Sequence, residues 1–394
     1  MQVLVADDDA VTRRIVGLLL NRLGHTVLEA GDGDQALALF AAHRPDVIIA
    51  DWEMPGTKGL ELVDKVRAMD GADDYTYFIL LTSHDDREAI AASSAAGVDD
   101  HLGKPLDHHQ LTRRMAVAAR LTSLQKRLTA ANQRMREDLL AAQRAQRALL
   151  PPPLEVIPGL TCATRLRPCD ELAGDLVGAS LLDPDHLGLH VVDISGHGVA
   201  AALLAVQVAR YLTPVAGTGS VLCDASGPVE ATEVPRLLNG IFQHGPSLQF
   251  MTMAYGLLDL RDFRLRLAMS AHPAPILLRR DGTTEEVEVS SQPLGLFPSN
   301  RLTITTWETV LRPGDQVLLF SDGATEAERA TEGERATEAE SIGGEFGRER
   351  LVAALRRFAD VTVDEALDGI LTELLAWTGG PLRDDASLLL LRRS

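Results

Sequence analysis

The sequence predicts an α/β protein built in three blocks, and three observations carry that prediction. Residues 1–120 alternate short apolar runs with stretches of helical apolar spacing, the pattern of βαβ units on a parallel sheet. No Gly or Pro interrupts Leu106–Leu150, where apolar residues recur every seven positions, as in one long helix. Residues 151–394 mix β-rich runs with helices, and acidic residues stand at the ends of several of those runs. At roughly 100–200 residues per domain, 394 residues allow two or three domains. The blocks divide the chain at 1–120, 121–150 and 151–394.

In the first block, Val3–Ala6, Val47–Ala50 and Ile79–Leu81 read as strands that end at polar residues, and Val11–Leu23 reads as a helix. In a parallel sheet the working residues stand beyond the carboxyl ends of the strands. Asp7, Asp8, Asp51, Thr82 and Lys104 all hold such positions. Three carboxylates that converge repel one another unless a cation lies between them. Hard oxygen ligands suit Mg²⁺, which binds few carboxylates plus phosphate. A lysine and a hydroxyl would hold the remaining phosphoryl oxygens. That chemistry makes Asp51 a nucleophile that forms an acyl phosphate.

The second block carries Leu121, Leu128, Met135, Ala142 and Leu149 at heptad spacing, with Leu124, Ala131, Asp138 and Ala145 three residues after the first four. A helix over 106–150 with this seam could pair with a copy of itself. Its alanines and one Asp weaken the seam, so a solvated helical spacer stays open as the alternative. Pro151-Pro152-Pro153 stops the helix.

In the third block, Leu187–Val192, Met253–Leu258, Leu265–Met269, Ile276–Leu278, Val317–Phe320 and Leu388–Leu391 read as strands. Val199–Tyr211, Val234–Phe242, Arg348–Arg357 and Val363–Trp377 read as helices, and 214–233 and 324–345 as loops. The latter loop holds a six-residue Glu-rich repeat that cannot bury enough surface to offset its ordering entropy. A mobile surface insertion is expected there, with a short charged helix as the alternative. Four acidic motifs recur: Ala173-Gly174-Asp175, Asp193-Ile194-Ser195-Gly196-His197-Gly198, Ser321-Asp322-Gly323 and Asp384-Asp385-Ala386-Ser387. Carboxylates delivered from separate strands to one sheet edge again imply metal. Gly196 and Gly198 let the backbone approach a ligand ahead of a helix whose N-terminus favours phosphate.

The formal net charge is −18, distributed as −8 over 1–120, +4 over 121–150 and −14 over 151–394. That balance argues against nucleic-acid binding, which needs Lys and Arg against phosphates, and against a polybasic membrane anchor. The −14 output block shows no helix-turn-helix pattern, so a DNA-binding output is set aside. No run approaches the ~18 apolar residues of a membrane span. The first residues do not read as a signal peptide. Cys162, Cys169 and Cys223 are too few and scattered for a disulfide framework or a C-x-x-C metal site. A cytoplasmic location is expected.

Residues 1–120 resemble a response-regulator receiver domain of two-component signalling over their whole length. The resemblance implies a doubly wound parallel five-stranded sheet, with Asp51 as phosphoacceptor and Asp7, Asp8, Asp51 and the Glu53 carbonyl around Mg²⁺. Thr82 would be the switch hydroxyl and Lys104 the phosphate-binding lysine. His101 stands where the family often has Tyr or Phe, so the form of the aromatic switch departs from the pattern. The partner implied is a histidine kinase or phosphotransfer protein.

Residues 151–394 resemble the PP2C-like serine/threonine phosphatase domain of the SpoIIE/RsbU type. Further matching pieces are Gln146 to Pro151, Ser270-Ala271-His272-Pro273, Pro293-Leu294-Gly295, Pro313-Gly314-Asp315 and Phe346 to Leu351. The resemblance implies an α+β fold, a β-sandwich flanked by helices, holding two Mn²⁺ or Mg²⁺ ions. Asp193 would bridge them beside the Ile194 carbonyl, with Asp322, Asp384 and Asp175 completing the set as catalytic residues. Gly178 replaces the second acid of the family's Gly-Gly-Asp-Phe-Tyr-Asp, and Ala271 replaces a usual Gly. His197 and His272 are expected in structural or hydrogen-bonding roles, because a metal-activated water needs no histidine base. The implied activity is receiver-controlled dephosphorylation of a phosphoprotein. By family resemblance the substrate would be a STAS-type anti-sigma-factor antagonist in a partner-switching pathway. The alternative is a binding adaptor without catalysis that holds or delivers a sigma-factor regulator.

Overall fold

The computed structural model describes residues 1–71, 75–82, 93, 96–149, 157–214, 219–243, 249–285, 287–329 and 344–394. It divides into two compact units, Met1–Glu137 and Asp138–Ser394.

The first unit is an α/β layer structure. Strands β1 (Gln2–Ala6), β2 (Thr26–Ala30), β3 (Val47–Asp51), β4 (Tyr77–Thr82) and β5 (Asp100–Gly103) form one parallel sheet in the order β2-β1-β3-β4-β5. Helices α1 (Ala10–Arg22), α2 (Gly33–His43) and α3 (Gly59–Met69) connect them. Helix α1 starts where it does because the Asp9 carboxylate accepts the backbone N–H groups of Val11 and Thr12. The central strands are apolar over Val3–Ala6, Val47–Ala50 and 77–81 because both sheet faces are covered, and polar residues stand only at their ends. Leu4, Ile48, Phe78 and Leu80 pack with Phe40 and Leu62 on one face. Val5, Ile49, Ile79 and Leu81 pack with Val16, Leu111 and Met115 on the other. Helix α4 runs from His108 to Leu149. Its first turns close the sheet, and beyond them Leu121, Leu124, Leu128 and Met135 of the heptad seam are exposed.

The second unit is a sandwich of two antiparallel sheets. Its strands are β6 (Leu160–Arg167), β7 (Leu176–Asp183), β8 (His186–Ile194), β9 (Cys223–Asp224), β10 (Gly227–Pro228), β11 (Met251–Asp259), β12 (Arg264–Ser270), β13 (Ile276–Leu278), β14 (Thr284–Glu285), β15 (Thr305–Val310), β16 (Gln316–Phe320) and β17 (Ala386–Arg393). One sheet has the order β15-β12-β11-β8-β7, the other β14-β13-β16-β17-β6, and β9 and β10 pair separately. The helices are α5 (Val199–Tyr211), α6 (Glu233–Phe242), α7 (Gly347–Arg357) and α8 (Val363–Thr378).

Alternation of side chains along the strands assigns the layers. In β17, Leu389 and Leu391 meet Leu189, Val191 and Val317 between the sheets. Leu388 and Leu390 face the opposite way, onto Leu355, Leu367 and Ile370 of α7 and α8. Val192 and Met253 of the other sheet likewise pack outward on Ala205 and Leu238 of α5 and α6. The four-leucine run of β17 is thus a strand buried on both faces. The architecture is α/β overall, with a parallel sheet in the first unit and a helix-flanked sandwich in the second.

Every strand and helix expected above is present within a few residues of its expected ends. Strands β6, β7, β14 and β15 are not among the runs that read as strands in the sequence. Leu160-Thr-Cys-Ala-Thr-Arg-Leu-Arg and Thr305-Thr-Trp-Glu-Thr-Val lie at or near sheet edges, where polar side chains face water and the apolar signal is thin. The span 214–233 also contains the β9–β10 hairpin. The Glu-rich repeat falls mostly on 330–343, outside the described residues, and its flanks meet at a Glu328–Glu345 bridge.

Candidate functional site

The parallel sheet of the first unit brings its acids to one end. Asp7 follows β1, Asp51 closes β3, Thr82 closes β4 and Lys104 follows β5. Asp7 and Asp51 are buried, and Asp8 is exposed. One carboxylate oxygen from each of Asp7, Asp8 and Asp51 lies within 4.8 Å of the others. Lys104 Nζ reaches Asp51 Oδ2 at 2.7 Å and Asp7 Oδ2 at 2.9 Å. Burial and the Asp7 charge hold the Asp51 carboxyl above its ordinary pKa, and the Lys104 contact opposes them. Burial pulls the Lys104 ammonium down, but its two carboxylate partners outweigh this and raise it. Three hard oxygens around one point, only partly neutralised by one lysine, fit a small divalent cation.

Two sequence features of this site meet different fates. The Glu53 side chain turns outward to Lys58, 3.4 Å away. His101 Nε2 lies 2.6 Å from Ser93 Oγ, and burial lowers the imidazole pKa. His101 is therefore held as a hydrogen-bonded ring in β5. Gly59 permits the close approach of α3, since a Cβ there would stand 2.4 Å from the Asp51 carbonyl.

In the second unit, four acids come from four strand ends. Asp175 precedes β7, Asp193 is the penultimate residue of β8, Asp322 follows β16 and Asp384 precedes β17. They repel one another through space but stand further apart than the first set. Among the described residues only Asp7, Asp8 and Asp51 bring three ligand atoms within 4.8 Å. The second set still interacts strongly. Burial, then Asp322 and Asp384, push the Asp193 carboxyl up to about 7. Burial and Asp193 push Asp175 well up. Burial and Asp384 raise Asp322, and burial followed by Asp385 raises Asp384. Among the described residues, no Lys or Arg forms an ion pair with any of the four. Asp175 is 2% exposed, and its Oδ2 has no hydrogen-bond partner among the described residues. A buried, uncompensated set of carboxylates with one orphaned oxygen is the donor set that divalent cations satisfy.

The surroundings support these acids. Thr252 sits opposite Asp193 in the β8–β11 ladder, and its hydroxyl lies 2.7 Å from His272 Nδ1. Burial drops the His272 pKa to about 3, so the ring is neutral and serves the hydroxyl. His197 is exposed, with Nδ1 3.0 Å from Asp170. Gly323 is required by crowding, because a Cβ there would lie 2.1 Å from the Asp385 carbonyl. Ile194 ends β8 beside Asp193. Gly178 lies inside β7 opposite His190, so no carboxylate enters from that position.

Sequence reasoning passed over Asp385. This buried carboxylate accepts the N–H groups of Cys169, Gly174 and Asp175 at 2.8, 2.6 and 3.3 Å. The doubled acid Asp384-Asp385 was its only signal. Asp385 spends its oxygens on backbone N–H groups, and its charge still adds to the repulsion on Asp193 and Asp175.

Residues 183–394 match the family Stage II sporulation protein E (SpoIIE), and residues 3–116 match the response regulator receiver domain. A chemotaxis protein CheY homolog of Campylobacter jejuni is 42% identical over 107 residues, 27% of this chain and 82% of that protein. The Regulator of RpoS of Escherichia coli is 29% identical over 213 residues, 52% of this chain and 62% of that protein. The chain spans about half to three-fifths of the length of the first curated relatives it matches. Among solved structures, the SiaA-PP2C domain of Pseudomonas aeruginosa is similar with a TM-score of 0.55 and 21% identity, covering 67% of this chain and 98% of that one. That likeness establishes the fold of the second unit.

Proposed function

From the premise that this chain belongs to the Stage II sporulation protein E family and carries a response regulator receiver domain, we propose that it is a phosphorylation-controlled, metal-dependent protein serine/threonine phosphatase. The observation that carries the reading is the uncompensated acid set Asp175, Asp193, Asp322 and Asp384 at one edge of a sandwich of PP2C type. Asp193, the Ile194 carbonyl, Asp322, Asp384 and Asp175 would hold two Mn²⁺ or Mg²⁺ ions. When bound, such ions lower the pKa of water and draw charge from phosphoryl oxygens. The chain's own part is to fix the acids. The Thr252 hydroxyl bonds Asp193 and is itself held by neutral His272, and Asp385 fixes the loop before Asp175.

In the receiver, Asp51 takes the phosphoryl group, while Asp7, Asp8 and the Glu53 carbonyl hold Mg²⁺ with it. Lys104 neutralises the phosphoryl oxygens, and Thr82 and His101 read the change. The donor is a histidine kinase or phosphotransfer protein. Helix α4 carries the signal, and its exposed Leu121, Leu124, Leu128 and Met135 fit pairing with a second copy. The substrate is a phosphoserine or phosphothreonine on a STAS-type anti-sigma-factor antagonist, in the cytoplasm. Mn²⁺-dependent phosphate release from a phosphoserine protein, lost in Asp193→Ala and Asp322→Ala, tests the activity. Failure of the wild-type chain to release phosphate would overturn it. Asp51→Ala should make that release insensitive to acetyl phosphate or beryllofluoride.

A second reading draws on the similarity to Regulator of RpoS and on Gly178 in place of an acid. In it the second unit binds a sigma-factor regulator without catalysis. Phosphate-independent capture of such a regulator by a chain that releases no phosphate would favour it.

A further inference from the structure

The loop from Cys169 to Asp175 delivers the buried Asp175, and side chains from two different elements hold its backbone. From the start of β17, Asp385 accepts three of its N–H groups. From α4, the Gln146 amide donates to the Ala173 carbonyl at 2.7 Å and accepts the Ala173 N–H at 3.4 Å. One turn earlier, Gln143 donates to the Glu171 carbonyl at 2.6 Å. Gln146 is only 9% exposed, although α4 is mostly exposed from 131 to 145. An amide that both donates to and accepts from one residue substitutes for the two hydrogen bonds a neighbouring strand would give. A shift of about 1 Å in a group that holds reacting partners is enough to cost much of a rate.

We infer that Gln146 is a positioning residue for Asp175, so that helix α4 sets the loop carrying Asp175 through the buried Gln146 amide, with Gln143 as a second, more exposed contact on Glu171. This rests on the reading of Asp175 given above as part of the phosphatase site. Asp385 is fixed by the sandwich itself. Gln146 belongs to the helix that begins at His108, and it is the anchor that a change in that helix would release. Neither a cavity nor a charged patch is needed for this link, only the register of α4 against Ala173.

The test uses the full chain. Gln146→Met keeps the length and volume of the side chain and removes both hydrogen bonds. Hydrogen exchange at amides 169–175 should accelerate about tenfold in Gln146→Met, as expected for hydrogen bonds of about 1 kcal/mol each. With Mn²⁺ and para-nitrophenyl phosphate, kcat should fall roughly 10- to 100-fold with KM little changed, the range seen when a supporting partner of a ligand is lost. Gln146→Glu keeps the acceptor and loses the donor; it should loosen the loop similarly and serves where the Met variant does not fold. Wild-type exchange and wild-type kcat in Gln146→Met would overturn the inference. A wild-type chain without phosphatase activity would overturn the phosphatase reading instead, while the loop exchange would still decide for or against the clamp.

Discussion

The two acidic sites of this chain solve the same electrostatic problem differently. In the receiver unit, Asp7 and Asp51 share Lys104 at 2.9 and 2.7 Å, so a resident cation offsets part of their repulsion. In the phosphatase unit, Asp175, Asp193, Asp322 and Asp384 face one another with no ion-paired Lys or Arg among the described residues. Their carboxyl groups are all raised, Asp193 to about 7. The receiver carries its own neutralising charge in Lys104. The phosphatase unit stores its repulsion in the fold and is set to take up cations.

Four measurements test that contrast, in decreasing order of expected effect. Removing Asp193 by Asp193→Ala should cost several kcal/mol of transition-state stabilisation, on the order of a thousandfold in Mn²⁺-dependent phosphate release. A tenfold loss or less would mean that this acid does not hold the reacting centre.

Next, Asp385→Ala leaves three N–H groups, two of them buried, without their carboxylate acceptor. Destabilisation of about 3 kcal/mol is expected by urea unfolding, since charge-assisted hydrogen bonds contribute about 1.5–3 kcal/mol each and the vacated site relaxes in part. An unchanged midpoint would show that the loop is held elsewhere.

Third, the raised Asp193 carboxyl has a definite consequence with pH. A carboxyl whose folded pKa is raised from 3.8 to about 7 binds more protons folded than unfolded between those values. Its contribution to stability therefore falls as pH rises from about 4 to 7. In EDTA, Asp193→Asn should raise Tm by a few degrees at pH 8 and less at pH 5, and saturating Mn²⁺ should reverse the order of the two proteins. Equal Tm values at both pH values would remove the stored repulsion from the account.

The smallest effect is expected at Lys104. Lys104→Met leaves Asp7 and Asp51 facing each other, but the lysine is a quarter exposed and the unit can admit Mg²⁺ instead. Breaking fully buried pairs costs about 3–5 kcal/mol, and exposure reduces this to about 1–2 kcal/mol here. Added Mg²⁺ should recover part of the loss in a denaturant titration. A loss that Mg²⁺ leaves untouched would erase the distinction between a self-neutralised and a cation-dependent site.

The strands and helices of both units were legible wherever burial imposed a period. Val3–Ala6 and Leu388–Leu391 read as strands because both of their faces are covered, and α5 and α8 because one face is apolar. Strands β6 and β15 were not legible, since positions on them face water and carry Thr, Arg and Glu. The acids Asp51, Asp193, Asp322 and Asp384 stood out because they interrupt apolar runs at strand ends. Asp385 and Thr252 did not, because their work is done on backbone and side chains distant in sequence.

By itself the sequence determined the order of the blocks, the strand-end acids and the basic, glycine-free helix between them. These follow from local rules: side-chain period, backbone freedom and charge count. Tertiary structure alone decided that Asp385 holds a loop. It also decided that Lys104 reaches both Asp51 and Asp7, and that Gln146 of α4 closes on Ala173. Hydrogen bonds and ion pairs act over about 3 Å in space, and residues as far apart as Cys169 and Asp385 come that close only when the sheets have assembled.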